Sequence, residues 1–125
     1  MPTNVPTPRA AYQRSAVLTA SQGQLIVMLY DGACRFLVQA SVAMNERQFE
    51  LAHNKLRRAE LIINHLQASL DYENGGEIAP RLYAIYSFCK RHLNQARIKA
   101  DPARIEEARS LLWTLREAWV QVAKS

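Results

Sequence analysis

Ala20-Ser21-Gln22-Gly23-Gln24-Leu25-Ile26-Val27-Met28-Leu29-Tyr30 opens the stretch, running on to Met44, whose reading decides the fold. Ser21-Gln22-Gly23-Gln24 has the form of a capping box: the Ser21 hydroxyl accepts from the Gln24 amide, and the Gln24 side chain reaches back. Behind it, Leu25, Ile26, Met28, Leu29, Ala33, Phe36, Leu37, Ala40 and Met44 recur at helical spacing. That stripe is too wide for a helix touching one neighbour, so the helix, over about residues 22–44, must lie against several others.

The same periodicity continues on both sides of a second decisive stretch, Ser69-Leu70-Asp71-Tyr72-Glu73-Asn74-Gly75-Gly76-Glu77. Before it, Phe49, Ala52, Leu56, Ala59, Ile63, Leu66 and Leu70 alternate steps of three and four, predicting a helix over 49–70 with a bundle-type seam. After it, Ile78, Leu82, Ile85, Cys89, Leu93 and Ala96 predict a third helix, with Pro80 tolerable only in its first turn. Asp101-Pro102 then supplies a cap followed by proline at the first helical position. The fourth helix carries Ile105, Ala108, Leu112, Leu115, Trp119 and Val122. With short links and no strand pattern, the fold is predicted to be all-α, an antiparallel four-helix bundle over 19–125. Residues 1–18, proline-punctuated and then moderately apolar, read as a flexible N-terminal arm. In the central loop, Gly75 and Gly76 are both free to take positive φ, and Asp71, Asn74, Gly75 and Gly76 are assigned to holding the turn.

At 125 residues the chain has one domain's worth of core, and 49% hydrophobic with 22% charged residues is an ordinary globular composition. No uninterrupted run of about eighteen apolar residues occurs, and the first residues lack the pattern of a signal peptide, so a cytoplasmic protein without membrane insertion is expected. Cys34 and Cys89 fall inside helical patterns as small buried hydrophobes of a reducing compartment. The formal net charge of +5 admits a small basic helical nucleic-acid-binding protein as the alternative reading. Against it, Arg57-Arg58, Lys90-Arg91, Arg97 and Lys99 are scattered, without interleaved aromatics, as on solvated helix faces.

Sites for chemistry fail on spacing. The loop from Asp71 has a glycine at the sixth position of a calcium loop, but Glu73, Gly75 and Leu82 stand where ligands are required at the third, fifth and twelfth. His53, His65 and His92 have no metal-ligand spacing with each other or with the cysteines. No nucleophile elbow and no phosphate-cradling loop is present. No catalytic residues, metal or cofactor are therefore expected. Left over are apolar side chains beyond the seams: Tyr30, Leu61, Ile62, Tyr83, Tyr86, Phe88, Leu111 and Trp113. They fit either a wide core or a groove for a partner's amphipathic helix.

Several motifs resemble one known family. Ala11-Tyr12, Thr19-Ala20-Ser21 and Gln24 through Ala33 are similar to the opening signature of the flagellar secretion chaperones, FliS. Ser69 through Ala79 resembles that family's second signature, and Leu82–Tyr86, Arg91-His92-Leu93, Ala96 and Leu115–Trp119 continue the match over about residues 10–122. Gln22 departs from the proline usual after Thr-Ala-Ser, and the proline-rich leader is longer than typical. The resemblance implies a cytoplasmic chaperone that binds the disordered C-terminal segment of flagellin. Binding would prevent premature polymerisation and aid delivery to components of the flagellar type III export gate. It also implies that the arm, with Tyr12, lies over the client groove. The flagellin-binding strip expected on these grounds is Tyr12, Tyr30, Ile62, Leu66, Leu70, Leu82, Ile85 and Tyr86. Leu66 and Ile85 lie on the seams and read equally well as core. The sequence is compatible with a homodimer.

Overall fold

A computed structural model describes residues 22–124, and within them every long element is helical. Helix α1 spans Gln22–Asn45, α2 Phe49–Ala68, α3 the single turn Tyr72–Gly75, α4 Ile78–Lys99 and α5 Pro102–Lys124. The expected arm, Tyr12 and the Ser21 cap lie outside the described residues.

Side-chain pairs give the direction of each helix. Gly23 faces Ala123, Asp31 meets Arg116, and Cys34 lies by the Arg109 carbonyl, so α1 and α5 are antiparallel. Glu60 meets Arg97 while Gln67 reaches Tyr83 and Ser87, which sets α2 against α4. His92–Glu107 and Gln95–Arg104 do the same for α4 and α5. Helix α1 packs on α2 and α5, α4 packs on the same two, and the α1–α4 and α2–α5 pairs are diagonal. The result is the up-down-up-down bundle that the seams predict.

Helix α1 has the length and apolar composition to cross a membrane. In the bundle that apolarity is used on two neighbours at once. Ala33, Leu37, Ala40, Ala43 and Met44 are buried, and small residues let the helices approach closely. A Cβ on Gly32 would come within 3.3 Å of Ile62 Cδ1.

The helix ends show where local chemistry was not legible. Arg47, at φ 62°, closes α1 with Gln48 N–H to the Ala43 carbonyl and Arg47 N–H to the Met44 carbonyl. This is the hydrogen-bond pattern usually made by glycine in the left-handed region. Ala100 ends α4 in the same region, at φ 49°. Helix α2 stops at Ala68, not at Leu70: the Ser69 amide and hydroxyl both donate to the His65 carbonyl, and the Leu70 amide then turns to the Gln67 carbonyl. Asp101 accepts from the Ala103 amide, as its place before Pro102 predicts.

The central loop holds a turn of helix that periodicity could not reveal. Asp71 caps it, accepting from the amides of Glu73 and Asn74 at 3.1 Å each, and the Asn74 side chain donates to its second oxygen at 2.7 Å. These hydrogen bonds, first among them the one from the Asn74 side chain, hold the Asp71 carboxyl below the usual carboxylate range. Only Gly76 takes positive φ here, at 51°. Gly75 is helical instead, and it is glycine for space: a Cβ there would lie 3.2 Å from that of Ala79.

Candidate functional site

The bundle core is complete at one end and unfinished at the other. Leu37, Leu56, Leu93, Ile105 and Leu112 are wholly buried. Towards the start of α1 and the end of α5 the same stripes lose their cover: Leu25, Ile26 and Leu29 on α1, and Leu115 and Trp119 on α5, are half-buried. Helix α2 ends there, and α3 is too short to replace it. Ile78, the first residue of α4, is left 62% exposed.

A cavity of about 310 Å³ fills this gap. Its walls are Gln22, Leu25, Ile26 and Leu29 of α1; His65 and Leu66 of α2; Ser69, Leu70, Asp71 and Gly75 of the connecting segment; Ile78, Ala79, Leu82 and Tyr86 of α4; and Trp119 of α5. All four long helices and the capped turn contribute, and the wall is mainly aliphatic. Its volume matches the lower end of pockets that take a bound ligand, about 300 Å³. What such a wall can do is remove hydrocarbon from water, at roughly 25 cal/mol per Å².

Tyrosines give the cavity a polar floor. Tyr86 is 2% exposed and lines it, and its hydroxyl lies 2.5 Å from that of Tyr30, which is fully buried on the diagonal helix. The rings sit 6.4 Å apart and tilted. Burial pushes the Tyr30 hydroxyl well above the usual tyrosine range, and the bond to Tyr86 adds to this, while Trp119 acts the other way. Burial likewise raises Tyr86, with the Tyr30 bond opposing. Both hydroxyls are therefore neutral at any physiological pH, and the floor carries dipoles, not charge.

The residues singled out from sequence are distributed unevenly. Leu66, Leu70, Leu82 and Tyr86 line the cavity, together with the turn residues Asp71 and Gly75. Tyr30 lies beneath Tyr86, sealed from solvent. Ile62 and Ile85 are half-buried and pack against the core outside the cavity wall. Tyr12 lies outside the described residues. The cavity also takes Leu25, Ile26, Leu29, Ile78 and Trp119, which sequence reading had placed on the interhelical stripes. Of the surplus apolar residues only Tyr86 lines it, with Tyr30 behind, while Leu61, Tyr83, Phe88 and Trp113 are exposed and outside its wall. The signal that could have found the site is where the helices end. Seam residues lying beyond the end of a neighbouring helix have lost one side of their packing.

Charge is spread over the helix faces. Arg97–Glu60 at 2.6 Å, Arg109–Glu106 at 2.8 Å and Arg116–Asp31 at 2.5 Å pair cations with acids. Arg35, Lys55 and Arg58 instead surround the Phe36 ring at 5.7–5.8 Å. Among the described residues no group of three His, Cys, Asp or Glu side chains could hold a metal ion.

Comparison with known proteins places this architecture. The sequence model of the family described as "Flagellar protein FliS" matches residues 5–125. The chain is 42% identical to the flagellar secretion chaperone FliS of Salmonella typhimurium over 110 residues, covering 87% of this chain and 82% of that protein. It is 34% identical to the Campylobacter jejuni chaperone of the same name, over 90% of this chain and 88% of the relative. With the Bacillus subtilis chaperone it shares 32% identity, over 97% and 90% respectively. A match over nearly the whole length, on an all-helical bundle with an open apolar end, leads to one conclusion: the chain belongs to the FliS family of flagellar secretion chaperones.

Proposed function

We propose that this chaperone binds the C-terminal segment of flagellin in the cytoplasm and that the cavity at the open end of the bundle seats the segment's main apolar anchor. The observation that carries the reading is the unfinished core. Four helices and a capped turn converge on about 310 Å³ of mainly aliphatic wall, which no described side chain fills. A client that is disordered when free must offset the entropy of ordering on binding, and buried hydrocarbon is the means available here. Holding that segment keeps flagellin from polymerising early. The loaded complex then delivers it to the type III export gate.

The described chain begins at Gln22, itself part of the cavity wall. The arm expected over residues 10–18 lies outside the described residues. We propose that those residues, with Tyr12, shield part of the groove until the client displaces or remodels them. Tyr12→Ala would then change flagellin affinity; an unchanged affinity would rule out a direct role for that tyrosine.

The test is calorimetric titration of the full chain with a peptide from the C-terminus of its own organism's flagellin, at low and high salt. Micromolar or tighter binding with a negative heat-capacity change and little salt dependence supports the apolar seat. No binding, beside salt-sensitive retention of the chain on nucleic acid, would favour the basic helical nucleic-acid-binding alternative.

A further inference from the structure

The floor of the cavity contains a hydroxyl proton with no acceptor among the described residues. Two tyrosines in one hydrogen bond have two protons between them, and the bond uses one. Among the described residues, Tyr86 has no hydrogen-bond partner except Tyr30. The Tyr30 hydroxyl lies 2.5 Å from that of Tyr86, and either could be the donor. Tyr30 is sealed from solvent and Tyr86 borders the cavity, so the spare proton is within reach of a partner when Tyr30 donates to the Tyr86 oxygen. In that arrangement the donation runs from Tyr30 to Tyr86. The remaining proton, that of Tyr86, has no acceptor among the described residues. Tyr86 is 2% exposed, and the space it borders is the cavity.

We infer that Tyr86 donates this hydrogen bond to an acceptor oxygen on the segment seated in the cavity, so that the site selects an occupant by a carbonyl or carboxylate as well as by hydrocarbon. The inference rests on the reading of the cavity as the flagellin seat. An occupant that filled the space with hydrocarbon alone would strand a buried donor, whose desolvation opposes binding. A water left on Tyr86 asks the same of the occupant, which must keep that water or replace its acceptor. The Tyr30 hydroxyl serves as a positioning group, holding the Tyr86 oxygen as acceptor and turning its proton outward.

The experiment titrates the wild-type chain, Tyr86→Phe and Tyr30→Phe with the C-terminal flagellin peptide, and records thermal unfolding of each. Phenylalanine keeps the ring and removes one oxygen, so both variants retain the aromatic core. Tyr86→Phe is expected to bind about tenfold more weakly, the effect of one net hydrogen bond. Tyr30→Phe removes the group that orients the Tyr86 proton but keeps the donor, so it is expected to unfold at lower temperature and to weaken binding less than Tyr86→Phe does, by about threefold. Unchanged or tighter binding by Tyr86→Phe would overturn the inference, since losing a stranded donor helps an all-hydrocarbon occupant. Equal weakening by both variants would also overturn it, because general loosening of the floor would then be the cause. Absence of binding by the wild-type chain would refute the underlying flagellin reading instead, and is distinguished by that control.

Discussion

Ile78→Ala separates binding from folding more cleanly than any other change in the cavity wall. Ile78 opens α4, borders the cavity and is 62% exposed in the free chain. Truncation to alanine removes three carbon groups, worth about 2.4 kcal/mol if moved from full exposure to full burial. Only the part already covered contributes to folding, about 0.9 kcal/mol, and alanine's higher helix propensity returns a few tenths. The expected loss of stability is therefore about 0.5 kcal/mol, or roughly 2–4 °C in Tm. The exposed part becomes buried only when the cavity is occupied, worth up to about 1.5 kcal/mol, or roughly tenfold in Kd for the flagellin peptide. Calorimetry and thermal unfolding on one preparation read the two quantities. Leu112→Ala is the control with the opposite signature. It is wholly buried away from the cavity, and it should cost about 2–5 kcal/mol of stability while the folded fraction binds normally. Wild-type affinity in Ile78→Ala would refute the claim that the client covers this wall.

Three further outcomes follow from local chemistry. Arg47→Gly and Ala100→Gly, at φ 62° and 49°, relieve left-handed strain of about 1–2 kcal/mol against a backbone-entropy cost of about 0.5–1 kcal/mol, so each should raise Tm by a few degrees. Burial pushes the Cys34 thiol up to about 11 and the Cys89 thiol up to about 12, so both stay protonated at neutral pH. A thiol-reactive dye should label them slowly in the native chain and rapidly in denaturant. Asp71 is ionised and hydrogen-bonded in the folded chain and its carboxyl is held low, so its support for α3 is complete above the unfolded value of about 3.9. That support should disappear as pH falls through the lower folded value, with Asp71→Asn showing a shallower acid transition.

The four long helices and the turn between α4 and α5 were legible because each rests on a local signal, a periodic stripe or the Asp101-Pro102 start. Local signals do not state how far a neighbouring helix extends. Helix α2 ends two residues early, where the Leu70 amide turns to the Gln67 carbonyl, and the turn α3 is set by one aspartate cap, neither of which changes the hydrophobic period. The cavity exists because of those endings. Leu25, Ile26, Leu29 and Trp119 read as ordinary core, and they become a site only where the fourth wall is missing. Tyr30 and Tyr86 were read as surplus, yet in the bundle they satisfy each other across the diagonal. Arg47 and Ala100 could not be anticipated at left-handed positions, where glycine is the usual residue.

If flagellin sits at the open end of the bundle, amide hydrogen exchange with and without the C-terminal flagellin peptide should show its footprint there. Added protection is expected at the start of α1 around Leu25–Leu29, through the Leu70–Leu82 segment, and around Trp119. The opposite end, at Arg47 and Ala100, should remain unchanged. Protection confined to that far end, with none at Leu70–Leu82, would contradict the account.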